Sequence, residues 1–136
     1  MRRSIFVDTS AWYAMTDADD ADHVVAQAFI AALDRPLLTS NFVIAETITL
    51  VRDRLGHAVA IQVGEQFRKK ALAEIVRITE KDENAAWRIF ARYRDKEFSF
   101  VDCTSFAVME RLKLNTAFAF DAHFEQYGKF IRLPIH

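Results

Sequence analysis

Two hydrophobic rhythms alternate along this chain. Short apolar runs at 5–7, 37–39, 75–78, 116–120 and 130–133 are mostly β-branched or aromatic and read as five strands. Those at 5–7 and 116–120 are too uniformly apolar for strands with one wet face, so they belong in a sheet covered on both sides. Between the runs, apolar residues recur every three or four positions. After Ser40, a good helix N-cap, Ile44, Ile48, Val51 and Leu55 keep that spacing and Gly56 closes the segment. A second helix is predicted over 57–72, with Ala58, Ile61 and Leu72 apolar and Arg68, Lys69 and Lys70 exposed. Thr79-Glu80-Lys81-Asp82 has the form of a capping box, and Ala86, Ile89, Phe90 and Tyr93 share one stripe beyond it. A further helix is predicted from about Asp102 to Leu112. The acid-rich stretch 17–22 precedes another, with Val25, Phe29, Ile30 and Leu33 inward.

Strands alternating with helices predict an α/β fold, a central parallel sheet of about five short strands flanked by helices on both faces. A length of 136 residues leaves little room for a second core, so residues 1–136 are expected to form a single domain. With 51% hydrophobic and 27% charged residues, and few Gly or Pro, long disordered segments are not expected. No apolar run approaches the length that spans a bilayer. The basic start, Met1-Arg2-Arg3, reaches Asp8 too soon for a signal peptide, and Cys103 has no second cysteine to pair with. The cytoplasm is the expected compartment. A net charge of −1 gives no global attraction for nucleic acid. An enzyme acting on phosphates would therefore need local basic patches or a bound cation.

Four acids stand where such a cation could sit. Ligands of open α/β sheets bind beyond the carboxyl ends of the strands. Asp8 directly follows the first strand and Asp121 the fourth. Glu46 lies in the second turn of the helix leaving the second strand, and Asp102 opens a helix after Phe98-Ser99-Phe100-Val101. Asp8, Glu46 and Asp102 have apolar neighbours, unlike the solvated Asp17, Asp19, Asp20 and Asp22. Taken singly, each has a plain explanation: Asp8 and Asp102 as helix caps, Glu46 as a surface residue, Asp121 as a turn acid. Converging carboxylates repel one another and need a cation to stay ionised together. An all-oxygen site suits Mg²⁺ or Mn²⁺ better than zinc.

At these residues the sequence resembles the PIN-domain nucleases, and within them the VapC-type toxins of bacterial toxin–antitoxin pairs. The matching pieces are Phe6-Val7-Asp8-Thr9-Ser10, the segment Thr39 to Thr47 around Glu46, the segment Tyr93 to Ala107 around Asp102, and Ala117-Phe118-Ala119-Phe120-Asp121-Ala122-His123-Phe124. Together they cover nearly the whole chain. The resemblance implies a three-layer α/β/α fold, metal-dependent endoribonuclease activity, homodimerisation and neutralisation by a cognate antitoxin. It carries the family's acids onto Asp8, Glu46, Asp102 and Asp121, and supporting hydroxyl positions onto Thr9 and Ser105. On this reading Asp8 and Asp102 hold the main Mg²⁺ or Mn²⁺, and Glu46 ligates it or orients its water. Asp121 completes the site or binds a second ion, and Thr9 or Ser10 holds an Asp or a phosphate oxygen.

Other chemistries fit less well. Cys103 beside Asp102 would need a base to act as a nucleophile, and no nearby His is indicated. His123 reads as a turn residue, and His23, His57 and His136 show no metal-ligand spacing. A haloacid-dehalogenase-like phosphatase would want an acid where Ser10 stands, and there is no Gly-rich phosphate loop. A non-catalytic RNA-binding or regulatory PIN-fold protein is the alternative from another class. Among the basic residues, Arg92 and Arg94 are expected nearest the carboxyl edge. Trp12, Tyr13 and Phe29 are expected in the core or in an apolar groove for a partner.

Overall fold

The computed structural model describes residues 3–135; Met1, Arg2 and His136 lie outside the described residues. The elements follow the predicted alternation. Strand β1 (Ile5–Val7) leads into helices α1 (Thr9–Thr16) and α2 (His23–Ala32), then β2 (Leu37–Ser40), α3 (Asn41–Leu55), α4 (His57–Arg68) and β3 (Glu74–Val76). The second half runs α5 (Glu80–Arg92), α6 (Phe100–Leu112), β4 (Thr116–Phe118), α7 (His123–Tyr127) and β5 (Ile131–Leu133).

All four strand pairings are parallel, in the order β3-β2-β1-β4-β5. The chain therefore winds outward from β1 in one direction, then returns and winds outward in the other. Right-handed crossovers put the connecting helices of the two halves on opposite faces, which gives the three layers. β1 and β4 are the innermost strands of the two halves, and every residue of both is buried, as their continuous apolar character requires. The gap beyond their carboxyl ends is the point where the winding reverses, the usual ligand position in such sheets.

Local signals set the helix boundaries. The Ser40 hydroxyl accepts from the Val43 amide at 3.1 Å, and Gly56 turns the chain out of α3 with φ +95°, a conformation that favours glycine. The Thr79–Asp82 capping box forms as expected. A second one, Ser99–Asp102, starts α6 at Phe100 rather than at Asp102. The inward face of α4 differs from the predicted one. Ala60, Gly64 and Phe67 are buried, while Ala58, Ile61 and Leu72 are exposed. Phe90 likewise leaves the inward stripe of α5: it is 42% exposed and joins Trp87 and Phe100 in a surface aromatic cluster. Ala86, Ile89 and Tyr93 face the core as predicted. Helix α7 is unexpected, and its five residues bury Phe124 and Tyr127.

Candidate active site

Asp8 ends β1 and caps α1. Its backbone amide donates to Phe118 O of β4 at 3.0 Å, so the innermost strands of the two halves are joined at its position. Its Oδ2 accepts from the Ser10 amide at 3.2 Å and the Ser10 hydroxyl at 2.8 Å. Ser10 Oγ in turn accepts from the Phe120 amide at 3.0 Å. Ser10 thus clasps the Asp8 carboxylate to the segment leaving β4.

Asp102 is the third residue of α6. Its amide donates to Ser99 Oγ at 3.0 Å, and its Oδ2 accepts from the Ser99 amide at 2.9 Å. The same Oδ2 lies 2.6 Å from His123 Nδ1. Because an ionised carboxylate only accepts, His123 donates from Nδ1, and this hydrogen bond selects the ring's tautomer. Asp121 Oδ1 accepts from the His123 amide at 3.0 Å and lies 3.8 Å from Nδ1. Glu46 enters from α3, half-buried.

All four predicted acids line one cavity of about 470 Å³. Asp8 caps α1 directly after β1, and Asp102 closes the capping box of α6, which follows α5 rather than a strand; both also line the cavity. Thr9 and Ser10 line the cavity too, but Ser105 does not. The Ser105 hydroxyl is buried within α6 without a hydrogen-bond partner. Sequence reasoning missed several lining residues. His123 is one, and its position two residues after Asp121 at a strand end was the available signal. Asp20 and Asp22 belong to the wall and not to a remote solvated stretch. The cation at the cavity is Arg54. Arg92 instead lines a separate cavity beside Tyr93 and Tyr127, and Arg94 does not line the acid cavity. Tyr13 is buried and Phe29 packs against the core, while Trp12, itself buried, lines a groove with Met15, Val63, Phe67 and Leu72.

The cluster carries an electrostatic penalty. Burial is the largest cause raising the Asp8 pKa well above the usual carboxylate range, and the charges of Asp121 and Asp102 raise it further against the Ser10 hydrogen bonds. Burial also raises Glu46, with Thr9 pulling the other way, and Asp102, with the Ser99 amide opposing. A site that disfavours its own carboxylate charges is one that a cation would relieve. Asp102, Asp121 and His123 fit such an ion: one ligand atom from each lies within 4.8 Å of the others. Asp8 and Glu46 stand outside that tight group but within the same cavity. The donor set is mainly carboxylate oxygen, which favours a hard divalent ion. The buried Cys103 thiol is pushed up to about 12, by burial first and then by Asp102, which leaves it no role as a thiolate.

The PIN-domain family profile matches residues 5–130. The chain belongs to the PIN-domain family. It is 40% identical over 124 residues to the 23S rRNA-specific endonuclease VapC20 of Mycobacterium tuberculosis, across 91% of this chain and 94% of that protein. Ribonuclease VapC26 of the same organism is 26% identical over 136 residues, spanning 96% of this chain and all of VapC26. The crystal structure of VapC20, described as a sarcin–ricin loop cleaving toxin, superposes with a TM-score of 0.88 at 39% identity, covering 94% of this chain and 97% of that one. A DNA-bound VapBC from Salmonella typhimurium shares the fold at TM-score 0.70 and 13% identity, over 98% of each chain. The PIN assignment and the α/β/α architecture expected from sequence are thus both found. Among the described residues, no helix is long and apolar enough to cross a membrane.

Proposed function

We propose that this protein is a VapC-type toxin, a divalent-metal-dependent endoribonuclease whose catalytic residues are Asp8, Glu46, Asp102 and Asp121. One observation carries the reading: three separate parts of the chain bring Asp8, Asp102 and Asp121 to one cavity at the switch point, where burial and then the charges of Asp121 and Asp102 raise the Asp8 pKa. The 40% identity to an endonuclease supports the reaction class.

Asp102, Asp121 and His123 would hold the ion, with Asp8 and Glu46 completing its surroundings or orienting its water. Bound there, Mg²⁺ or Mn²⁺ lowers the pKa of a coordinated water and offsets charge developing on the phosphate. The protein's own part is positional. Ser10 fixes the Asp8 carboxylate, and Ser99 and His123 fix the Oδ2 of Asp102, leaving its Oδ1 to face the cavity. Glu46 has a raised pKa, which suits it to receive a proton from the attacking water near neutral pH. Thr9 orients Glu46. Burial of Asp8 and Asp102 keeps bulk water from screening these charges.

By similarity to VapC20, the first RNA to test is a sarcin–ricin loop. The reading also includes a cognate antitoxin, a cytoplasmic location, action as one domain and a homodimer. The exposed Trp87 and Phe90 rings, beside the partly buried Phe100, supply apolar surface for self-association. The purified protein is expected to cleave this RNA with Mn²⁺, leaving 5′-phosphate and 3′-hydroxyl ends. EDTA, Asp8→Asn or Glu46→Gln is expected to abolish cleavage. Full metal-dependent cleavage by Asp8→Asn would overturn the assignment.

A further inference from the structure

The cavity that gathers the acids also holds one guanidinium. Arg54 is the only Lys or Arg among the described residues lining it. It follows Glu46 and Leu50 along α3 at spacings of four, and all three line the wall. Eight residues at about 1.5 Å each put Arg54 about 12 Å farther along the helix axis than Glu46.

Arg54 has a built seat. Its Cζ lies 5.0 Å from the centroid of the Tyr13 ring, and Tyr13 is buried in the core. The Tyr13 hydroxyl donates to Asp17 at 2.6 Å, which fixes the ring at its far end. Asp17, the carboxylate facing Arg54, also accepts from the Asp19 amide at 2.9 Å, so its oxygens are already engaged. The guanidinium lies within cation–π reach of the ring and also interacts with the Tyr13 hydroxyl, and its five N–H donors leave some available for a phosphate. A solvated surface arginine would need neither a rigid aromatic seat nor a place on this wall. The wall's carboxylates would repel an RNA backbone, and a fixed cation at its far end offsets that repulsion where the strand enters.

We infer that Arg54, seated on Tyr13, forms a subsite for an RNA backbone phosphate flanking the one that is cleaved. This inference rests on the ribonuclease reading. Arg54 is then a positioning residue: it fixes the register of the strand and takes no part in breaking the bond.

The test measures binding and cleavage separately. Binding of a fluorescent single-stranded RNA is titrated with salt in an Asp8→Asn background, with and without Arg54→Gln. Arg54→Gln is expected to weaken binding by about three- to tenfold. The slope of log affinity against log salt should become shallower by about 0.7, one phosphate contact on a single strand. Arg54→Lys should restore the slope. With Asp8 intact, Arg54→Gln should raise KM by the same factor and leave kcat within about twofold. Neutral methylphosphonates placed one at a time along the strand beside the cut should weaken binding to the Arg54 protein at one flanking position and should not weaken binding to Arg54→Gln. An unchanged salt slope, or a lowered melting temperature with no change in KM, would overturn the subsite and leave Arg54 a structural residue. Failure of the unsubstituted protein to cleave any RNA with Mn²⁺ would instead overturn the ribonuclease reading itself.

Discussion

Asp82 and Asp102 occupy the same local structure and meet opposite fates. Each is the third residue of a helix, closes a capping box with a hydroxyl residue three positions earlier, and is almost fully buried. At Asp82 the surroundings supply a cation. Arg111 of α6 reaches it with two nitrogens, at 2.8 and 2.9 Å, and Thr79 adds its amide. Burial alone would raise the Asp82 pKa, but Arg111 and Thr79 outweigh it and the net shift is downward. At Asp102 the neighbours include Asp121, and the net shift is upward in spite of Ser99 and His123. One carboxylate is neutralised by the fold. The other keeps a penalty that a ligand can remove, and that difference separates a structural acid from a candidate catalytic one.

The sharpest way to break this comparison is to remove each charge in turn. Asp102→Asn is expected to lower RNA cleavage on the order of 100- to 1000-fold with an unchanged or raised melting temperature. Asp82→Asn is expected to lower the melting temperature and leave cleavage nearly intact well below it. Equal losses of cleavage in the two variants, measured in parallel, would erase the distinction.

Arg111→Met tests the other half. It strands a buried carboxylate, and because Arg111 is itself partly exposed the cost is expected at about 2 kcal/mol in chemical denaturation. No stability change would mean that Asp82 does not depend on its cation.

The smallest effect is in the pH dependence of stability. Asp8, Glu46 and Asp102 have raised folded-state pKa values, so their penalty is present above those values and is relieved as pH falls through them. Asp82 has a lowered value, so its contribution is present above the unfolded carboxylate pKa and is lost as pH falls through the folded one. Metal-free protein should therefore gain about 1 kcal/mol as pH falls through the raised values toward the unfolded carboxylate pKa, then lose stability below about pH 4. Saturating Mn²⁺ should reverse the first arm, because it binds the ionised forms. A stability curve unaffected by Mn²⁺ between pH 8 and 5 would contradict the cluster's proposed role.

The same comparison explains what could be read in the sequence. The Thr79 box and the Ser40 cap are local chemistry within four residues, and both formed where expected. Asp8 and Asp121 were legible as acids directly after apolar strands, since the sheet rule supplies the long-range information. Asp20 and Asp22 were not legible, because they reach the cavity through tertiary placement; His123, two residues after Asp121, and Arg54, two steps of four beyond Glu46 on α3, had local spacing that pointed to the cavity and was passed over. Arg92 and Arg94 were chosen for closeness in sequence to Asp102, but α5 turns Arg92 toward a different surface. The inward faces of α4 and α5 were misread where Ile61 and Phe90 kept an apolar rhythm that the fold leaves exposed.

The Ser10 clasp has a consequence for when the protein can act. Strand β1 is made before its β4 neighbour and the partner amide of Ser10, which come more than a hundred residues later. A nascent chain still inside the ribosome thus carries Asp8 with no Asp121, His123 or Phe120 to complete its pocket. On the proposed mechanism the pocket is complete only once β4 and the segment after it have docked beside β1, so Asp8 and Asp121 act together only in the folded chain.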